Sequence, residues 1–216
     1  MVIAMDGPSG VGKSTVSRKV ADRLGLSYLD TGATYRAATL AVVQAGIDIG
    51  AEDAILSELA EHDIDYAESG IMLDREPVAV AVRSDEVTRN VSALSAHPRV
   101  RTVIVDMQRR WVQDQGGAAV VEGRDIGTVV FPDAPVKIFL TASPLVRARR
   151  RAGDAEAQGR TVEEIAAAIE ARDHADSTRT ASPLRAADDA TVIDTSELSI
   201  EEVVESIISI VEGRST

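Results

Sequence analysis

Near its start the chain reads Gly7-Pro8-Ser9-Gly10-Val11-Gly12-Lys13-Ser14, which has the form G-x-x-x-x-G-K-[ST]. The apolar run Val2-Ile3-Ala4-Met5 precedes this loop, and Val16, Val20 and Leu24 follow it at intervals of four residues. The first pattern is typical of a strand buried in a parallel sheet, and the second is typical of an amphipathic helix. We therefore predict a strand, a phosphate-binding loop and a helix over 13–24, in that order.

The chemistry of this loop indicates a bound nucleoside triphosphate with Mg²⁺. Its glycines let the backbone wrap closely around phosphate oxygens, and the N-terminus of the following helix points at the anion. Lys13 would reach the β- and γ-phosphates, and the hydroxyl of Ser14 would ligate the metal. The nucleotide-binding residues predicted in this segment are Gly7, Pro8, Ser9, Gly10, Val11, Gly12, Lys13, Ser14 and Thr15.

The loop does not by itself distinguish a kinase from a nucleotide-dependent switch or a motor. A guanine-nucleotide switch normally carries an Asn-Lys-x-Asp motif, and the single asparagine of this chain, Asn90, is followed by Val91. Glu122, after Ala119-Val120-Val121, could hold a Mg²⁺-bound water or could be a solvated strand end, and the sequence leaves both open. A kinase is favoured, and a switch that binds a partner protein is the second hypothesis.

Composition argues against several other classes of protein. The 216 residues include no cysteine, so neither a disulfide nor a thiolate metal site can form. The formal net charge of -12 disfavours binding to DNA or RNA. No apolar run reaches the roughly 18 residues of a membrane span, and the N-terminus lacks the charged start of a signal peptide. We therefore expect a cytoplasmic protein of one domain whose partners are small molecules. We also expect a monomer, although the acidic composition does not bear on assembly.

The rest of the chain alternates between strand and helix patterns, which predicts an α/β fold with three layers around a central parallel sheet. Residues 63–82 alternate between apolar and polar side chains instead, and predict a small inserted antiparallel meander. Capping boxes at Thr161 and Ser199 predict two further helix starts. The other strands are predicted at 28–30, 118–121, 136–140 and 191–194, and the other helices at 35–45, 54–60 and 98–115.

Arginines occur where the transfer of phosphate between two anions would need positive charge. Arg36, at the start of a predicted helix, and Arg124 each follow a predicted parallel strand, at the sheet edge that also carries the phosphate loop. Arg172, Asp176 and Arg179 share one face of a helix. From their spacing alone, these three could bind a ligand or could form a salt-bridged solvent face.

A dense positive stripe lies at 147–151, where four of five residues are arginine. Arg147 and Arg151 are one helical turn apart, and unpaired like charges on one helix cost stability. The stripe could belong to a lid that closes over the triphosphate and excludes water, or it could be a solvated basic helix.

Several blocks of sequence, in a fixed order, carry a resemblance more specific than the phosphate loop. They are that loop, Asp30-Thr31-Gly32-Ala33-Thr34-Tyr35-Arg36, Pro98-Arg99-Val100-Arg101, Glu122-Gly123-Arg124-Asp125-Ile126-Gly127-Thr128-Val129-Val130, residues 134–140, Arg172-Asp173 with Asp176 and Arg179, and Ser199-Ile200-Glu201-Glu202. Together they resemble the bacterial cytidylate kinases, a nucleoside monophosphate kinase family of P-loop proteins. The resemblance spans nearly the whole chain.

The resemblance implies transfer of the ATP γ-phosphate to CMP or dCMP. It implies catalytic roles for Lys13, Arg124 and Arg179, and donor contacts from Arg147 and Arg151. The acceptor-binding residues that it implies are Thr31, Arg36, Ser92, Arg101, Arg124, Asp125, Arg172, Asp176 and Arg179.

The implied roles divide the acceptor-binding residues by the part of the nucleotide. Arg36, Arg124 and Arg179 would hold the phosphate, with Arg172 and Asp176 near the sugar. The residues that would read the cytosine edge, which offers an amino group at N4 and acceptors at N3 and O2, are Ser92, Arg101 and Asp125.

The family layout implies a single kinase domain over 1–216, with a core of 1–37 and 98–216, an acceptor-binding insertion of 38–97 and a helical lid of 146–162. Two positions depart from the family pattern. Thr31 stands where serine is common and keeps the hydroxyl, and Glu122 stands where aspartate is common. A kinase for another nucleoside monophosphate is the alternative within the enzyme class, although the carbonyl of uracil would be repelled by Asp125.

Overall fold

The computed structural model describes residues 1–67, 70–153, 159–178 and 182–214. These residues form two compact units. The first contains Met1–Leu29 and Gln115–Thr216, and the second contains Asp30–Asp114. Among the helices of the described residues, none combines the length and the apolar character that crossing a membrane requires.

Strands and helices alternate along most of the described chain. The strands are β1 (Val2–Asp6), β2 (Ser27–Asp30), β3 (Ile64–Ala67), β4 (Gly70–Leu73), β5 (Glu76–Pro77), β6 (Ala119–Gly123), β7 (Val136–Thr141) and β8 (Thr191–Asp194). The helices are α1 (Lys13–Leu24), α2 (Thr31–Gln44), α3 (Glu52–Leu59), α4 (Asp85–Leu94), α5 (Pro98–Asp114), α6 (Pro144–Ala152), α7 (Val162–Thr178) and α8 (Ile200–Arg214). Shorter helical turns occur at Ala81–Arg83, of 3₁₀ type, and at Ile126–Val130, of π type.

The first unit is built on a five-stranded sheet in the order β2-β6-β1-β7-β8. Strand β1 pairs in parallel with β6 and β7, and β7 pairs in parallel with β8. Ile3, Met5 and Leu140 are fully buried and pack with α1 and α8. The central position of β1 explains its continuous apolar sequence. The predicted α/β class and parallel sheet are confirmed, and α1 and β8 have their predicted bounds.

Both predicted capping boxes of the first unit are present. The N–H of Glu164 donates to the hydroxyl of Thr161 at 3.2 Å, and the carboxylate of Glu164 accepts from the N–H of Thr161 at 2.8 Å. Ser199 and Glu202 make the same reciprocal pair at 3.3 and 2.8 Å. Each box satisfies two backbone N–H groups that have no partner inside the helix, which fixes where α7 and α8 begin.

The second unit combines an antiparallel sheet, in the order β3-β4-β5, with the helices α2, α3, α4 and α5. Helix α2 is buried on two sides, because Leu40 packs against Ile71 and Leu73 of β4 while Val42 packs in a separate cluster with Ile104 of α5. The largely apolar sequence of α2 follows from this double packing.

Helix α2 begins at Thr31 rather than at 35, so the expectation that Arg36 stands at the helix start is wrong. The carboxylate of Asp30 accepts a hydrogen bond from the N–H of Ala33 at 3.1 Å and caps the helix. Aspartate is a preferred residue for this role because it satisfies an N–H that has no partner inside the helix.

The last part of the predicted meander is also wrong, because it forms a turn that leads into the 3₁₀ helix Ala81–Arg83. The N–H of Val82 donates to the carbonyl of Val78 at 3.0 Å, and β5 covers Glu76–Pro77 only. Val82 is 3% exposed whereas Val80 is 88% exposed, so the alternation of valines marks a buried and a free side of a turn rather than two faces of a strand. Helix α4, capped by Ser84, then follows without having been predicted.

His62 bridges two carboxylates in the second unit. Its Nδ1 lies 2.7 Å from Oδ2 of Asp74, and its Nε2 lies 3.1 Å from Oε1 of Glu58. The hydrogen bonds to Asp74 and then to Glu58 raise the pKa of His62 above its ordinary value. Because the folded pKa is raised, this group stabilises the fold fully below the unfolded pKa of about 6.5, and the contribution is lost as pH rises through the folded value.

We expect His62→Gln to lower the urea midpoint of unfolding at pH 6 and to lower it much less at pH 9. Glutamine can keep a neutral hydrogen bond but cannot carry the charge that both carboxylates attract. The check is a pair of urea titrations of the parent and the variant at the two pH values. A midpoint difference that does not change with pH would show that the ion pairs contribute nothing.

Candidate active site

The phosphate loop joins the end of β1 to the start of α1, and its three glycines all have a positive φ that favours glycine. Gly7 has a φ of 147°, and a Cβ built on it would lie 2.2 Å from the carbonyl oxygen of Leu140. Gly12 has a φ of 90° and is the N-cap of α1, with no side-chain hydrogen bond to the first turn. The first turn of α1 therefore presents N–H groups that a side-chain cap does not use, which is the arrangement that binds phosphate.

Lys13 lies among charges that come from four other side chains. Its Nζ donates to the carbonyl of Pro8 at 2.7 Å. Burial, followed by the positive charge of Arg124, lowers the pKa of Lys13 to about 7, although Glu122 and Asp6 raise it and Arg172 lowers it further. Positive charges that depress one another's ionisation would gain from a bound anion. The surroundings of Lys13 are therefore those of an anion site.

The side chain of Ser14, in the first turn of α1, is hydrogen-bonded to the side chain of Glu122 in β6. The hydroxyl of Ser14 donates to Oε1 of Glu122 at 2.6 Å, and Glu122 is 4% exposed. Glu122 is part of β6, in register with Met5 of β1, so the alternative of a solvated strand end is wrong. A hydroxyl and a carboxylate side by side are oxygen donors of the kind that Mg²⁺ prefers.

Asp6 ends β1 and holds the segment after β6. Its Oδ1 accepts from the N–H of Ile126 and its Oδ2 from the N–H of Gly127, each at 2.8 Å. Burial raises the pKa of Asp6 to about 6 and the charge of Asp125 adds to this, although the two N–H groups and Lys13 oppose the shift. The buried carboxylate thus ties the strand that carries the phosphate loop to the segment that carries Arg124 and Asp125.

Two predicted side chains of the first unit, Arg124 and Asp176, form an ion pair. Nε of Arg124 lies 3.4 Å from Oδ2 of Asp176, and Nη1 of Arg124 donates to the carbonyl of Gly7 at 3.4 Å. Nε of Arg172 is buried and has no hydrogen-bond partner within the described part of the chain. An arginine nitrogen that is buried without a partner is costly unless a ligand supplies an acceptor. Only 9% of Asp176 is exposed, so the alternative of a salt-bridged solvent face is wrong for this residue of α7.

The first arginine of the positive stripe is buried against the phosphate loop. Arg147 is 6% exposed, donates from Nη1 to the carbonyl of Ser9 at 3.3 Å, and pairs with Asp173 of α7. Arg151, one turn later, donates to the hydroxyl of Ser9 at 3.3 Å. The alternative of a solvated basic helix is wrong for these two residues. Residues 154–158 of the predicted lid lie outside the described residues.

The second unit contains four of the predicted acceptor-binding residues. Thr31 is buried in the first turn of α2, and Arg36 of the second turn donates to the carbonyl of Val82 at 3.0 Å and to the hydroxyl of Thr88 at 2.9 Å. These contacts attach Arg36 to the segment that leads into α4. Arg36 is therefore held in place before any ligand binds.

Two predicted base-reading residues of this unit lie on α4 and α5. Arg101 is 5% exposed, donates to the carbonyl of Ser95 at 3.4 Å, and its guanidinium lies 5.4 Å from the ring centroid of Tyr35. Ser92 is exposed on α4, and Ser95 ends that helix. The structure thus links Arg101 to the helix that carries Ser92. Arg179, predicted as both catalytic and acceptor-binding, lies outside the described residues.

The sequence did not indicate two acidic residues of this region. Asp6 could have been noticed as an ionisable residue at the end of an apolar strand, directly before the glycine loop. Asp173 follows Arg172 on α7, and no local pattern predicts that it pairs with Arg147, which is 26 residues earlier in the chain. A contact of that range depends on how α6 packs against α7, which sequence periodicity does not define.

Comparisons of sequence give one consistent result. Residues 3–213 match the family model described as cytidylate kinase. The chain is 50% identical over 221 residues to the cytidylate kinase of Rhodococcus opacus strain B4, covering 100% of this chain and 96% of that protein. It is 49% identical over 224 residues to the cytidylate kinase of Mycobacterium leprae strain Br4923, covering 100% of this chain and 97% of that protein.

Solved structures share the fold at much lower identity. An uncharacterized protein from Eubacterium ventriosum ATCC 27560 matches with a TM-score of 0.54 and 11% identity, covering 98% of both chains. A sugar kinase from Janibacter sp. HTCC2649 matches with a TM-score of 0.50 and 16% identity, covering 100% of this chain and 98% of that one. At these identities the likeness concerns the fold alone.

Proposed function

Because the chain belongs to the cytidylate kinase family, we propose that it transfers the γ-phosphate of ATP to CMP and dCMP, giving ADP with CDP or dCDP. The observation that carries this proposal is the surroundings of Lys13, where burial and then the positive charge of Arg124 lower the pKa of the lysine to about 7, with a smaller contribution from Arg172. A site built in this way favours an anion with several negative charges, such as a triphosphate at the moment of transfer.

The donor would bind at the phosphate loop. The N-terminal turn of α1 and the backbone of residues 7–14 would surround the phosphates, and Lys13 would contact the β- and γ-phosphates. Arg147 and Arg151 would add charge from α6, because both contact Ser9 of the loop. Thr15 would contribute from the first turn of α1.

The oxygen donors beside the loop fit Mg²⁺. The Ser14 hydroxyl would ligate the cation, and Glu122 would hold one of its bound waters. A bound cation would neutralise part of the charge on the phosphates. Within the described residues there is no group of three or more His, Cys, Asp or Glu side chains that could hold a metal. Mg²⁺ commonly binds through one or two protein oxygens and substrate phosphates, so the cation would arrive with the triphosphate.

Acceptor-binding roles are proposed for residues of each unit. In the first unit Arg124 would hold the acceptor phosphate together with Arg179, Arg172 and Asp176 would lie near the sugar, and Asp125 would accept from the amino group of cytosine. In the second unit Arg36 would hold the phosphate, Thr31 would contribute a hydroxyl, and Ser92 and Arg101 would read the base. Uracil has a carbonyl where cytosine has the amino group, so a carboxylate at Asp125 disfavours UMP.

Transfer would be direct and in line, with no covalent protein intermediate, because phosphoryl transfer needs positioning and charge rather than a nucleophilic side chain. Lys13 and Arg124 would stabilise the charge on the transferred group. The protein would act as a monomer in the cytoplasm on small nucleotides, and its net charge of -12 disfavours a nucleic-acid polymer as a partner.

The first experiment is an ADP-release assay with ATP and Mg²⁺, run without acceptor and then with CMP, dCMP, UMP, AMP or dTMP at one concentration. We expect ADP release that depends on CMP or dCMP. Dependence on a different monophosphate would keep the phosphotransferase and discard the roles of Ser92, Arg101 and Asp125. Release without any acceptor would instead support a nucleotide-dependent switch.

A further inference from the structure

The π-helical turn at Ile126–Val130 has an unusual cap. Asp125 occupies its N-cap position, with φ -143° and ψ 27°, and its side chain makes no capping hydrogen bond. An aspartate at such a position usually accepts from the N–H groups that follow it. Here Asp6, which is 119 residues earlier in the chain, accepts from the N–H groups of Ile126 and Gly127 instead.

This exchange of roles leaves the carboxylate of Asp125 out of the cap. Asp125 is 5% exposed and Asp6 is 4% exposed. The charge of Asp125 contributes to the raised pKa of Asp6. Because Asp6 satisfies the two N–H groups that follow Asp125, the backbone on the C-terminal side of Asp125 is held without a capping hydrogen bond from its own side chain. The position of the Asp125 backbone therefore depends on a residue of another strand.

The same turn is restrained from a second side by Lys137 of β7. A Cβ built on Gly127 would lie 3.1 Å from Cδ of Lys137 and 3.5 Å from Oδ2 of Asp6. The turn also closes on itself, because the N–H of Val129 donates to the carbonyl of Asp125 at 2.9 Å. The turn thus lies between the Lys137 stem and the Asp6 carboxylate, with little room to shift.

We propose that Asp6 is a positioning residue for acceptor selection, which orients Asp125 and Arg124 relative to the phosphate loop by capping the turn that follows them. The inference rests on the proposed kinase function. Asp6 touches neither nucleotide in this scheme and acts through the backbone of residues 124–127. The strand end that begins the donor loop thereby also sets the geometry of the residue that recognises the base.

The test is Asp6→Asn assayed at pH 8, where the Asp6 carboxylate of the parent is ionised. Asparagine has the same size, but its amide NH₂ cannot accept from the second N–H, so one hydrogen bond is replaced by two opposed donors. We expect kcat/KM for CMP to fall on the order of 10- to 100-fold, since small displacements of positioning groups have effects of this size. The CMP-to-UMP ratio of kcat/KM should fall with it. This ratio is the deciding readout, because the loss of the Asp6 charge near Lys13 acts on turnover of both acceptors alike.

The matched control is Asp194→Asn. Asp194 also ends a parallel strand, and its Oδ1 accepts from the N–H of Ser196 at 2.8 Å, but on the exposed strand β8. We expect this variant to keep the CMP-to-UMP ratio of the parent. Urea unfolding of each variant shows whether it is folded.

A second variant, Gly127→Ala, disturbs the same turn with Asp6 intact. If Asp6→Asn and Gly127→Ala both act through the turn, each should lower the CMP-to-UMP ratio of kcat/KM. The double variant should then have a ratio no lower than that of the more affected single variant. An Asp6→Asn protein that is folded and loses CMP and UMP activity equally would overturn the proposal. If Asp6→Asn does not fold, an unchanged ratio in Gly127→Ala would overturn it. A parent without CMP-dependent ADP release would instead overturn the proposed function itself.

Discussion

Replacing Lys13 with methionine is expected to lower kcat on the order of a thousandfold, because removing one charge-stabilising group from a phosphoryl-transfer or oxyanion site has effects of this size. Methionine approximates the length of the lysine stem and removes only the charge. The Nζ of Lys13 is held at the loop by the carbonyl of Pro8, which places the charge where the phosphates would bind. The measurement is steady-state ADP release with saturating ATP, Mg²⁺ and CMP.

Lys19→Met is the matched control, because Lys19 lies on the same helix and pairs at the surface with Glu201 at 2.9 Å. An exposed pair of this kind contributes little to stability, and the control should keep the turnover of the parent. A Lys13→Met protein that keeps turnover within tenfold of the parent would remove the loop from the mechanism.

The same variant separates activity from stability. Burial and the charges of Arg124 and Arg172 lower the pKa of Lys13 to about 7, so the folded protein without nucleotide holds this charge at a cost. We expect Lys13→Met to be as stable as the parent in urea, or more stable, while it is inactive. A site residue that destabilises the free protein is the common form of a trade-off between stability and function.

Local sequence patterns predicted the elements whose causes are local. The bounds of α1 follow from a glycine loop and an apolar repeat, and α8 follows from a capping box and one apolar face. The predicted start of α2 was wrong because Asp30 is both the last residue of β2 and the N-cap of α2. The apolar pattern does not show that a strand residue also caps the next helix. The last part of the meander failed because valines at 78, 80 and 82 fit a strand and a turn equally well.

The site residues can likewise be divided into those that a local pattern reveals and those whose contacts join distant positions. The phosphate loop and Ser14 are contiguous in sequence and could be found as a motif, and Arg124 and Asp125 could be found from a resemblance. The contacts that orient them join distant positions: Ser14 with Glu122, Asp6 with Ile126, and Arg147 with Asp173. These pairs depend on the order of strands in the sheet and on helix packing, which periodicity within a window cannot provide.

Asp125 is the residue on which we expect discrimination between CMP and UMP to depend most. We expect Asp125→Ala to lower kcat/KM for CMP on the order of 100-fold and to change the value for UMP far less, because a site built to bond a polar group loses most when that bond is removed. The cap of the turn at Ile126–Val130 is supplied by Asp6, so alanine at 125 leaves both capping hydrogen bonds in place. The loss should therefore come from recognition rather than from unfolding of the turn.

The measurement compares kcat/KM for CMP and UMP in the parent, in Asp125→Ala and in Asp133→Ala, whose side chain is exposed in the loop before β7. Asp133→Ala should keep the ratio of the parent, because removing an exposed charge changes the field at a buried site only slightly. Asp125→Ala with unchanged CMP kinetics would remove Asp125 from the site. Equal losses for CMP and UMP would mean that Asp125 supports turnover of any acceptor, and base selection would then belong to Ser92 and Arg101 of the second unit.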